Sequence, residues 1–208
     1  MIRMLTRTAA AAAAVAALGG CALLSSPEPV SLYRFGAAPD AEIGASGAPA
    51  SEVPVAMRRP EFVEAARDDR ILGVTGTDAA YIKGARWVAS ADVLFSDALE
   101  DAFAAEARRV RLIGPRELTR AAQTLDVDVR TFEARYPAPG AVPTATIVAR
   151  VRLLNAQERT VAAERIFAVE QTATANRVSA IVAAFDAATR DLNSQIVAWT
   201  DQNARQGG

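Results

Sequence analysis

Between Val178 and Trp199, apolar residues recur at three- and four-residue spacing: Val178, Ile181, Val182, Phe185, Leu192, Ile196 and Trp199. The stripe predicts a helix from about Asn176 to Asn203, roughly 40 Å long at 1.5 Å per residue. An apolar band of that length must be covered by an equally long apolar surface, and it is far more often core than a lipid or partner groove. The chain must therefore build a layer for this helix to lie on.

Alternating segments supply that layer. Ile147, Val151 and Leu153 face one way and Arg150 and Arg152 the other, so Ala145 to Leu154 predicts a strand, paired through Asn155–Arg159 with Val161 to Gln171. Leu125, Val127 and Val129 alternate with Asp126, Asp128 and Arg130, as a strand with one wet face does, and Phe132 breaks the phase as a bulge would. Arg70 to Val74 is a strand, Gly76-Thr77-Asp78 a turn, and the return strand ends near Trp87. Shorter strands are expected at Ser31–Phe35 and at Val110–Ile113, and Val53–Met57 is a short apolar run. Pro60 to Arg67 suits one or two helical turns, Arg116 to Gln123 a short helix, and Tyr136 to Pro143 a proline-rich loop. Ser90 can cap a second long helix, Ala91 to Arg108, with Asp92 at the positive end of its dipole and Leu94, Phe95, Ala98, Leu99, Ala102 and Phe103 on one face. The resulting fold class is α/β (α+β): a two-layer sandwich whose largely antiparallel mixed sheet carries two main amphipathic helices.

Composition narrows the chemistry. The 208 residues include no histidine and one cysteine, which removes Ser-His-Asp and Cys-His catalysis, imidazole metal ligands and Cys-rich zinc sites. With 23 basic and 24 acidic residues there is no electrostatic case for nucleic acid. No catalytic, cofactor-binding or metal-binding residue is expected.

The single cysteine has a particular address. Met1 to Arg7 carries two arginines and no acid, Thr8 to Leu18 is almost wholly apolar, and the exit reads Leu18-Gly19-Gly20-Cys21. Residues 1–20 thus form a secretory signal, too short for a permanent membrane span. Leu18, Gly19 and Gly20 before Cys21 resemble a bacterial lipobox. The resemblance implies cleavage before Cys21, diacylation of its thiol and acylation of the new amino terminus. Each buried CH₂ contributes roughly 0.8 kcal/mol, so two or three chains anchor stably where one does so marginally. Residue 22 is alanine; an aspartate there would resemble an inner-membrane retention signal, so the periplasmic face of the outer membrane is expected. Cleavage leaves 188 residues with a net charge of −3. Residues 21–54, rich in Pro, Gly, Ala and Ser, read as a flexible tether carrying a short docking strand near 31–35; 55–203 form a single domain and 204–208 a disordered tail. A linker of about 30 residues searches a radius of roughly 30 Å.

Several constellations have ordinary readings. Gly73-Val-Thr-Gly76 lacks the lysine of a phosphate loop and is read as a hairpin turn. Asp97 with Asp101, and Asp126 with Asp128, are read as solvent-facing charges rather than a glycosidase pair, and Lys83 as a solvated strand lysine. The basic cluster Arg108, Arg109, Arg111, Arg116 and Arg120 is read as a solvated helix end, with a phospholipid head group or acidic partner as the functional alternative. Tyr81 and Trp87, with Arg86, are either core wedges or a partner interface.

The lipobox cysteine, the Leu32-Tyr33-Arg34-Phe35 strand, Arg70-Ile71-Leu72, and Tyr81 followed by Arg86-Trp87-Val88-Ala89 ahead of an amphipathic helix resemble the auxiliary lipoproteins of ABC-type transport systems, among them the PqiC-like lipoproteins. The resemblance runs from about Leu32 to Trp199, with Ser90 where that family usually has an acid. It implies a non-catalytic component working with an ABC ATPase, a permease and a periplasmic MCE-domain protein that move phospholipids or related apolar molecules between the two membranes. Direct phospholipid contact and self-association stay open. The alternative is an assembly or activator lipoprotein for cell-wall synthesis or an outer-membrane barrel.

Overall fold

The computed structural model describes residues 29–36, 53–114, 117 and 119–205; the signal, the lipobox and Cys21 lie outside them. The chain forms β1 (Ser31–Tyr33), β2 (Val53–Met57), β3 (Glu61–Phe62), α1 (Glu64–Arg67), β4 (Arg70–Thr75), β5 (Asp78–Trp87), α2 (Ala91–Glu106), β6 (Val110–Ile113), β7 (Gln123–Tyr136), β8 (Thr144–Asn155), β9 (Val161–Thr172) and α3 (Val178–Asn203). The strands make one nine-stranded mixed sheet, and the class is the mixed α/β one expected.

β7 organises that sheet. One edge pairs antiparallel with β8 along nearly its whole length, from Gln123 opposite Asn155 to Arg135 opposite Thr144, with the expected bulge between Val129 and Thr131. β8 pairs in turn with β9. The other edge of β7 is shared by three short parallel strands: β2 at Gln123–Leu125, β3 at Asp128–Val129 and β4 at Ala134–Tyr136. Residues 55 to 75 thus run once along β7, leaving it at Pro60, which has no N–H to donate, and again for the turn of α1. β2 also carries β6, while β4 carries β5 in a hairpin and β5 carries β1, both β6 and β1 in parallel pairing. Parallel pairings are more numerous than the sequence suggests, whereas the antiparallel ones are longer.

The apolar stripe of α3 is buried against β8, β9 and α2, as its periodicity demands. Phe35, Phe62, Phe95, Trp87, Phe132 and Phe185 meet at its centre, with ring centroids mostly 4.8–5.6 Å apart and largely edge-on, the arrangement favoured by aromatic quadrupoles. They come from both layers, so this cluster holds the helices to the sheet.

Three local expectations are corrected. Ser90 does stand at the N-terminus of α2, but its hydroxyl donates to the Asp92 carboxylate (2.5 Å) and caps no backbone N–H. α2 stops at Glu106 instead of Arg108 because the Asp201 carboxylate of α3 takes the backbone N–H groups of Arg108 (2.7 Å), Arg109 (3.2 Å) and Val110 (2.9 Å), turning the chain into β6. No helix forms among the described residues between 117 and 122: Glu117 accepts from the Gly114 N–H and pairs with Arg111 (2.6 Å), while Gln123 is drawn into β7.

Candidate interaction surface

β1 has only three residues, too few to hold an edge by pairing alone. Phe35 and Gly36 supply its hold. Phe35 is buried against Trp87 and Phe132, and the chain then turns at Gly36 with φ +67°. The Gly36 N–H donates to Asp186 Oδ1 of α3 at 2.8 Å, and a Cβ there would stand 2.4 Å from Ala98 Cβ of α2. Only glycine fits between the two helices with that backbone.

Alternation sorts the residues of this edge. Phe35 and Trp87 point to the helices; Leu32 and Arg86 point away. Trp87 is 2 % exposed, perpendicular to Phe35 and Phe185, so of the three residues singled out as core or interface it is a core wedge. Its Nε1 has no hydrogen-bond partner among the described residues. Tyr81 is 36 % exposed, with the Arg70 guanidinium 3.7 Å from its ring centroid. Arg86 holds both oxygens of Asp69 (2.8 and 2.9 Å). Register places Leu32, Arg86 and Arg70 in one row across β1, β5 and β4. Leu32 is 63 % exposed and Val88, two residues beyond Arg86, is 53 % exposed.

The other constellations resolve into structure. Gly76, at φ +59°, closes the β4–β5 turn, so the Gly73–Gly76 segment is the hairpin expected. Asp126 is 5 % exposed, which corrects its reading as a solvated charge: Arg152 Nε (2.8 Å) and Nη2 clamp it from β8 and Arg58 stands 3.8 Å away. Asp128 pairs with Arg130 (3.1 Å) and Arg150 (3.2 Å). On α2, partial burial and the neighbouring Asp97 and Asp101 raise the Glu100 carboxyl above its ordinary value. The hydrogen bond from Arg111 and that from the Gly114 N–H hold Glu117 below its own. The basic cluster is divided, Arg109 reaching the Asp201 carbonyl (3.1 Å) and Arg111 reaching Glu117. An open cavity of about 770 Å³ beside it is lined by Glu106, Arg108, Arg109, Ser194, Val197 and Asp201. There Ser194 donates to Glu106 (3.0 Å), so these polar groups serve helix packing. Lys83 is exposed on the bulge of β5. Among the described residues no three His, Cys, Asp or Glu side chains gather to hold a metal, and no helix is long and apolar enough to cross a membrane.

The fold is shared with solved structures. Protein XCC0632 of Xanthomonas campestris, of family DUF330, superposes with a TM-score of 0.66 at 24% identity, covering 83% of this chain and 96% of its own. The hypothetical protein CT253 of Chlamydia trachomatis matches at 0.54 and 11% identity, covering 74% and 98%. No curated protein is significantly similar in sequence. A family model spans β1 to α3, matching residues 33–197, and by that match the chain belongs to the ABC-type transport auxiliary lipoprotein components.

Proposed function

We propose that this protein is a non-catalytic lipoprotein, held by acyl chains on Cys21 at the periplasmic face of the outer membrane, that serves an MCE-type ABC system moving phospholipids or other apolar molecules between the two membranes. The observation that carries the reading is the family match over residues 33–197, joined to the Leu18-Gly19-Gly20-Cys21 sequence that ends 12 positions before it. The ion pairs made by Asp126 and Asp128 support a non-catalytic role, since carboxylates engaged by arginines are poorly placed for acid/base work. In this arrangement the domain offers protein-binding surface close to the membrane, and the ATPase and permease lie at the other end of the apparatus.

Affinity purification of the mature protein from solubilised envelopes tests the reading. Recovery of an MCE-domain protein with its permease or ATPase is expected. Consistent recovery of a cell-wall synthase or an outer-membrane barrel instead, with no transport component, overturns it in favour of an assembly role.

A further inference from the structure

The pairing of β1 with β5 sets the edge of the sheet at which the chain from Cys21 enters the domain. Ten residue steps separate Cys21 from Ser31, the first residue of β1, and at full extension they span at most about 36 Å. The strand order from β1 to β9 runs β1-β5-β4-β7-β8-β9, five spacings or about 24 Å. With Cys21 acylated, the leash enters at the β1 edge and the β9 edge stands about 24 Å farther across the sheet; since 36 Å exceeds that width, it is the side chains of the β1 edge that must choose the orientation.

The surface at that edge combines exposed arginines with exposed aliphatic side chains. Leu32, Arg86 and Arg70 form the row across three strands, with Val88 two residues along β5's line and Arg34 two residues along β1's, both exposed. Arg70 and Arg86 lie directly opposite each other, a like-charge pairing that costs stability unless something relieves it. Asp69 neutralises Arg86, and the face of Tyr81 takes Arg70. Among the described residues neither Arg34 nor Arg70 makes an ion pair, and the nearby Asp68 is engaged by Arg67 at 3.7 Å. Three guanidiniums and two aliphatic side chains thus share a face with one carboxylate.

We propose that this face, Leu32, Arg34, Arg70, Arg86 and Val88, lies on the phospholipid surface that holds the protein's own acyl chains. The guanidiniums meet lipid phosphates and the two aliphatic side chains enter the headgroup layer, so the domain stands on the bilayer in one orientation with β9 pointing away. The inference rests on acylation of Cys21 and adds the orientation that acylation alone does not set.

The lone cysteine makes the test clean, because once Cys21 is acylated an introduced thiol is the only reactive one. The full mature lipoprotein is reconstituted into vesicles of phosphatidylethanolamine with a minority of phosphatidylglycerol. Leu32→Cys, Val88→Cys and, as the remote control, Ile166→Cys on β9, itself 58 % exposed, each carry a polarity-sensitive fluorophore. Quenching by headgroup nitroxides is expected to be strong at 32 and 88 and weak at 166. Arg34→Gln should lower the ratio of membrane-apposed to unapposed protein roughly fivefold, the effect of one juxtamembrane arginine. Equal quenching at 32 and 166, or none at 32 while the protein still floats with the vesicles, overturns the orientation and leaves acylation standing. Failure to float removes the acylation reading and this one with it. Shielding of the residue 32 probe only when the transporter's periplasmic subunit is added identifies a protein-binding face and also overturns the proposal.

Discussion

Substituting Gly36 with alanine puts a methyl group into the contact that locks the amino-terminal segment to both helices. Its backbone sits at φ +67°, where a residue with a Cβ loses roughly 1–2 kcal/mol. The new carbon would stand 2.4 Å from Ala98 Cβ, more than an ångström inside ordinary contact, and that neighbour is itself rooted on the backbone of a buried helix face. Overpacking of this kind costs typically 1–3 kcal/mol. The total, about 2–5 kcal/mol, is a large part of the stability of an ordinary domain and should lower Tm by roughly 4–20 °C. Thermal unfolding of the mature chain followed by circular dichroism measures it. A second substitution separates the two causes. Ala98→Gly deletes the clashing atom and leaves Ala98 Cα (3.7 Å) and Leu94 O (3.8 Å) as nearest neighbours. The double variant should recover the packing share, a coupling of about 1–3 kcal/mol, while retaining the φ penalty and the cost of about 1 kcal/mol for glycine inside a helix. A Tm unchanged by Gly36→Ala, or two substitutions that simply add, would refute the argument that this glycine is required.

Cys21→Ser should transfer the protein from the membrane to the soluble fraction, which fractionation and immunoblotting detect; continued membrane association would remove acylation as the anchor. Trp87→Ala should cost about 3–5 kcal/mol in denaturant unfolding, because it empties the centre of the aromatic cluster, whereas Arg86→Ala at the exposed Asp69 pair should cost under about 1 kcal/mol. Asp126→Asn should destabilise by roughly 1.5–3 kcal/mol by weakening a charged hydrogen-bond pair in a largely buried position, and Arg152→Met in the same chain should recover part of the loss. Glu100→Gln should raise the unfolding free energy slightly near neutral pH, by less than about 0.5 kcal/mol. Since folding raises the Glu100 pKa, the carboxyl's contribution is fully present below its unfolded value of 4.5 and is lost as pH rises through the folded one, so the gain from glutamine should vanish in acid.

What could be read before folding is what local periodicity writes down. The α3 stripe, the β8–β9 hairpin and the β4–β5 turn at Gly76 each need contacts only a few residues apart, and each stands where the pattern puts it. The shared edge of β7 joins residues about 60 to 70 positions apart in parallel pairing, and no repeat or turn motif announces such an edge. Asp126 misleads for the same reason: alternation gives its face correctly but cannot show that Arg152 and Arg58 cover it. Trp87 carried a usable signal in Ala85 and Trp87 alternating with Arg86 and Val88, which marks the tryptophan as facing the same way as a small buried residue. Gly36 carried none, since its necessity arises from a helix whose nearest residue is 62 positions away.

The latch at Phe35 and Gly36 sets more than stability. While it is closed, the first paired residue after Cys21 among those described is Ser31, within about 36 Å by covalent geometry. If β1 came away, the next paired residue among those described would be Val53, held by β6, and 32 residue steps would more than triple that limit. Three residues of edge pairing hold β1 weakly, so with Cys21 acylated the distance the domain can stand from its anchor would depend on one buried ring, one glycine and one carboxylate. Weakening the latch should therefore lengthen the protein's reach before it unfolds the sheet, because β2 to β9 pair with one another without help from β1.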